Sequence, residues 1–139
     1  MNRLTEAQAK TFLKNLKLSN FRIVPNHDSN VHVPVIEIPQ IEFESILNST
    51  RILYELNPAK IWNEQKHDYD FYLDIGLTID NKVKSFAVSL TPDFVYALLQ
   101  SKQVGFITQR KEYDDMYLFK IQPKYFETLQ EFLMESFRF

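Results

Sequence analysis

Apolar residues recur along this chain in two rhythms, every third or fourth position in some stretches and every second in others, and the stretches alternate. The first is helical. Thr5-Glu6-Ala7-Gln8 has the form in which a Thr hydroxyl accepts from the third helical amide and a Gln side chain reaches back to the cap. Ala9, Phe12, Leu13 and Leu16 follow at helical spacing, predicting a helix over 5–18 stopped by Ser19-Asn20. Phe21 to Val24 reads as a short strand, Pro25 to Asn30 as a turn, and Val31 to Ile38 as a second strand. Pro34 cannot donate to a ladder, which places this second strand at a sheet edge or gives it a bulge; an edge would argue mildly for a monomer.

Pro39 opens a second helix whose apolar face is Phe43, Ile46, Leu47, Leu53 and Tyr54, with Asn57-Pro58 as its stop. Residues 58–69 are polar around Ile61-Trp62 and read as a loop or a short helical turn. The clearest alternation follows. Phe71, Leu73, Ile75, Leu77 and Ile79 share one face of a strand, and Asp70, Tyr72, Asp74, Gly76 and Thr78 share the other. Asp80-Asn81-Lys82 turns the chain into Val83 to Leu90, giving a hairpin. Thr91-Pro92 starts a third helix carrying Phe94, Val95, Leu98 and Leu99. Strands over 104–111 and 116–122 come next, and Pro123 opens a last helix with Phe126, Leu129, Phe132, Leu133 and Phe137 inward.

The expected order is α-ββα-ββα-ββα, one α+β domain over residues 1–139. Its largely antiparallel sheet has five or six strands, and the helices pack mainly on one face. Three strand-to-helix junctions pass through proline, at Pro39, Pro92 and Pro123. Their spacings of 53 and 31 residues are unequal, so shared helix-starting chemistry accounts for them better than duplication.

Composition narrows the chemistry. The chain is of ordinary domain size at 139 residues, 45% hydrophobic and 24% charged, so a core forms without metal or crosslink. It has no cysteine, which removes disulfides, thiolate nucleophiles and cysteine-held zinc. Only two glycines occur, Gly76 and Gly105, too few and too far apart for a glycine-rich phosphate loop. The net charge of −2 does not suit a general nucleic-acid binder. The N-terminal residues lack a signal-peptide pattern and no stretch is long enough to span a membrane, so a cytoplasmic location is expected.

Four groups of residues are candidates for function. His27, Asp28 and His32, joined by His67 and Asp68, offer imidazoles and carboxylates that bind metals or act as bases, but match no established ligand spacing. Asp70, Tyr72 and Asp74 share a strand face. The two carboxylates sit ~13 Å apart at ~3.3 Å per residue, beyond the ~5–9.5 Å of a glycosidase pair. Trp62 offers the large area of an interface anchor. Glu127, Glu131 and Glu135, four apart on the last helix, form an acidic ridge. These residues point to a protein–protein interaction module with a basic partner, specifically a small bacterial inhibitor of a cognate toxin or nuclease, with no catalytic residue and no cofactor. Two alternatives are a small-molecule binder with an apolar pocket between sheet and helices, and a His/Asp metal-dependent hydrolase.

Overall fold

A computed structural model describes residues 3–26 and 30–137. Helix α1 (Glu6–Lys14) starts as its sequence dictates: Gln8 N donates to Thr5 Oγ1 at 3.2 Å and Thr5 N donates to Gln8 Oε1 at 2.9 Å. Then come β1 (Phe21–Pro25), β2 (His32–Ile38), α2 (Gln40–Asn48), β3 (Ile52–Asn63), β4 (Asp68–Ile79), β5 (Lys82–Ser89), α3 (Pro92–Ser101), β6 (Gln103–Thr108), β7 (Tyr117–Lys120) and α4 (Pro123–Phe137). The class is α+β, as expected. The order differs, because a third strand stands between α2 and β4.

That strand corrects the long second helix. Residues 52–63 were expected to finish a helix and then form a loop; instead they pair along their whole length with β4, from Ile52↔Ile79 to Asn63↔Asp68. Leu53, Tyr54 and Leu56 suit either rhythm, and the break is made by polar groups. Ser49 Oγ bonds Ile46 O at 2.8 Å and closes α2. Asp80 Oδ1 then accepts from Thr50 N, Thr50 Oγ1 and Arg51 N at 3.1–3.2 Å and fixes the start of β3. Asp80 itself sits in the β4–β5 turn, where it and Asn81 adopt positive φ (46° and 71°) that both residue types tolerate. Pro58 stops no helix. It is an edge-strand proline, and its carbonyl accepts from Leu4 N at 3.4 Å.

Seven strands among the described residues form two sheets rather than one of five or six. One has the order β1-β2-β6-β7, with β2 and β6 parallel; the other is the antiparallel meander β3-β4-β5. Pro34 is not on an edge strand. It pairs with Ile23 of β1, and the ladder to β6 begins only at Val35↔Gly105, so the missing amide falls outside that pairing. The argument for a monomer from Pro34 therefore lapses.

One apolar cluster joins the sheets. It takes Ile36 and Ile38 from β2, Leu73, Ile75 and Leu77 from β4, Phe86 and Val88 from β5, and Phe106 from β6. Phe43, Phe94, Leu98, Leu129 and Leu133 from three helices complete it, all at most 2% exposed. Removing each such side chain from water contributes ~1.5–3 kcal/mol. Three of the four helices pack into this one cluster, and α1 is the exception. Helix α4 reaches the core face of β4 through Phe132 against Phe71, whereas α1 lies on the opposite face, with Phe12 edge-on to Tyr72 at 6.0 Å. Alternation along a strand defines two faces but does not say what covers each.

Candidate interaction site

The β3–β4 hairpin ends in a turn built by its own side chains. Asn63 Oδ1 accepts from the amides of Gln65 (3.0 Å) and Lys66 (3.3 Å), and His67 takes φ 52°. Asp70 holds the turn from the strand. Its carboxylate accepts from Lys66 Nζ at 2.7 Å and from Asn63 Nδ2 at 2.8 Å. The bond from Lys66, then that from Asn63, holds the Asp70 carboxyl below the usual range, and the same Asp70 contact raises the Lys66 ammonium. Asp70 thus acts as a clamp on the turn.

Trp62 and Tyr69 are direct partners across this hairpin. Their rings meet edge-to-face at 5.0 Å, with Lys60 Nζ 4.1 Å from the Tyr69 ring centre and His67 6.4 Å from Trp62. Edge-to-face pairs and cations over ring faces are attractive. The pair nevertheless stays in water, Trp62 at 45% and Tyr69 at 40% exposure. Ring contacts continue from Tyr69 to Phe71 (6.5 Å) and from Phe71 to Phe137 (5.2 Å), so the pair adjoins the last turn of α4. Glu127, Glu131 and Glu135 all lie exposed on that helix. Glu135 meets Arg3 at 2.9 Å, and Arg3 also lies 4.7 Å from the Phe132 ring centre.

The opposite face of the hairpin sheet holds Asp70, Tyr72 and Asp74, so these three are not brought together with Trp62. α1 crosses this face. Its preceding residue Leu4 bonds Pro58 on β3, and Ser19 beyond it donates to Ala87 O on β5 at 2.8 Å. Burial, then Asp70, raises the Tyr72 hydroxyl above its ordinary range. Asp74 lies between Asn57 and Ala87, and its Oδ1 is buried without a hydrogen-bond partner among the described residues. Burial, then the charge of Glu55, raises its carboxyl.

The histidine candidates are scattered. His27 and Asp28 lie outside the described residues, His32 is exposed on β2, His67 sits in the hairpin turn, and Asp68 bonds the Tyr69 amide at 2.7 Å. Among the described residues no group of three or more metal-ligating side chains forms, and no helix is long and apolar enough to cross a membrane. The space between sheets and helices is filled by the aromatic core, and a crevice of about 620 Å³ opens beside it, at the edge of β5.

Comparison with known proteins gives no lead: no family model matches the chain, and no curated protein or solved structure matches it significantly.

Tyr69 was missed in the sequence because the strand was started at Asp70, two residues too late. Its signal was present. With β3 recognised as a strand, the two-residue alternation extends back through Tyr69 and sets it opposite Trp62.

Proposed function

We propose that the protein is an interaction module that grips another protein with Trp62 and Tyr69, while the adjoining acidic side of α4 selects a basic partner. The carrying observation is the half-exposed ring pair at the end of a clamped hairpin. An aromatic pair held rigid before binding loses little entropy on contact, which is the character of an interface hot spot. A lone tryptophan more often tucks a connecting loop onto the core, but Trp62 stands in a strand and half in water, which favours the anchor. Glu127 and Glu131, exposed on that helix, give its surface a negative potential that accelerates encounter with a positive one. The finer form of the proposal is a small inhibitor that neutralises a basic toxin or nuclease by covering it.

The test is association with a partner captured from the source cell and then purified. Trp62→Ala and Tyr69→Ala should each weaken binding by ten-fold or more with unchanged thermal unfolding. Reversing Glu127, Glu131 and Glu135 to Lys should slow association and flatten its salt dependence. Full binding by the ring variants would overturn the anchor. Unchanged salt dependence after charge reversal would overturn the basic partner.

A further inference from the structure

We infer that the crevice between the two sheets binds a small phosphorylated molecule, with its phosphate on the first turn of α2. The site is separate from the Trp62 surface and does not depend on it.

The topology makes the crevice. β2 and β6 are parallel and end side by side at Ile38↔Thr108. β2 runs through Pro39 straight into α2, so the carboxyl end of the parallel pair and the amino end of a nine-residue helix open on the same space. In sheets with parallel strands, crevices at the carboxyl ends are where ligands are received. The two sheets are bridged above this space by residues 17–20: Ser19 N bonds Ala87 O and Glu37 N bonds Asn20 O, both at 2.8 Å.

Two independent features of the lining suit a phosphate. First, α2 has Pro39 at its cap and no side-chain cap bond; its first internal bond is Phe43 N to Pro39 O at 3.1 Å. The amides of Gln40, Ile41 and Glu42 have no acceptor among the described residues, and such amides favour an anion. Second, Thr108 is the one buried polar residue among those described, 3% exposed. It shares the phase of Phe106 and so faces the space between the sheets, at the crevice. Its hydroxyl has no hydrogen-bond partner among the described residues, yet it is not among the sealed polar atoms. The hydroxyl is therefore open to the crevice and available to a polar ligand there.

The surrounding charges agree. Lys17, Lys84 and Arg110 line the crevice, and neither Lys17 nor Arg110 has a carboxylate partner among the described residues. Of the two acids in the lining, Glu42 is met by Lys84 at 3.8 Å. Glu37 is out of phase with Ile36 and Ile38, and Arg22 meets it at 3.5 Å. With three cations and two carboxylates, the lining is net positive by one charge on a chain of net charge −2, which favours an anion. Leu18 and Phe86 supply an apolar wall for the body of the ligand, and about 620 Å³ holds a molecule larger than phosphate alone.

The experiment is an NMR titration of the whole chain with inorganic phosphate and with pyrophosphate, against chloride at matched ionic strength. The amides of Gln40, Ile41 and Glu42 should shift saturably with the phosphates and not with chloride. Thr108→Val should weaken binding by about five-fold, and Lys17→Glu with Arg110→Glu by ten-fold or more. Both variants should retain the wild-type spectrum elsewhere. Shifts spread over surface lysines, or shifts at α2 that Thr108→Val leaves unchanged, would overturn the site.

Discussion

Asp74 is the residue at which this fold works against itself. Its carboxylate lies on the sheet face that α1 crosses, with Oδ1 unpartnered among the described residues; its burial, then the charge of Glu55, favours the protonated form. The sign of the pH effect follows. Between its ordinary value of 3.8 and its raised folded value, the native state holds more protons than the unfolded chain. Stability therefore falls as pH rises through that window, and the penalty stays in place above it. Asp70 runs the other way. Lowered by Lys66 and Asn63, it stabilises above the ordinary range, and that contribution is lost as pH falls towards its folded value. Asp74→Asn removes only the first effect. The variant should be more stable than the parent at pH 7 and should lose the decline between pH 4 and 7. Denaturant melts across that range check it, and a variant less stable at pH 7 would show that the charge is solvated after all.

Elements show where sequence reading succeeded and where it could not. The caps of α1 and α3 were legible because they are local: Thr5 and Thr91 bond amides three residues on, and the spacing alone says so. The β4–β5 hairpin was legible for the same reason, since alternation and an Asp-Asn turn lie in one short stretch. The α2–β3 boundary was not, because what fixes it is Asp80, about thirty residues further along the chain, bonding Thr50 and Arg51. Glu127, Glu131 and Glu135 are exposed on α4, and Trp62 was singled out, but its partner Tyr69 depends on a β3–β4 register that appears only once β3 is a strand. The crevice residues Lys17, Lys84, Thr108 and Arg110 come from distant segments and carry no motif. The Asp80 contact can be tested directly. Asp80→Ala loses three acceptor contacts and places Ala at positive φ, and should cost about 1–2 kcal/mol. Asp80→Asn keeps an oxygen acceptor and tolerance of that φ, and should cost less than half as much. Equal losses in chemical denaturation would mean that the clamp does not define the start of β3.

At the scale of the molecule the question is whether two sheets behave as one cooperative body. They share no strand. They are coupled by the seam at residues 17–20, by the Tyr54 hydroxyl of β3, which donates to Lys120 O of β7 at 2.6 Å, and by the apolar cluster, in which Phe86 of β5 and Phe106 of β6 lie 5.8 Å apart. Phe106 also meets Phe119 of β7 at 5.5 Å and is fully buried, so it ties both sheets at a single point. Phe106→Ala should cost about 3–5 kcal/mol, the usual result of emptying a buried aromatic site. The chain provides its own reporter for how that loss spreads. Its single tryptophan, Trp62, stands on the three-stranded sheet, whereas far-ultraviolet circular dichroism follows all the elements together. If the shared cluster couples the sheets, Phe106→Ala should move the fluorescence and dichroism midpoints down together, though the substitution lies in the other sheet. If the fluorescence midpoint stays in place while dichroism shifts, the three-stranded meander holds its structure alone, and the coupling assigned to Phe86 and Phe106 is wrong.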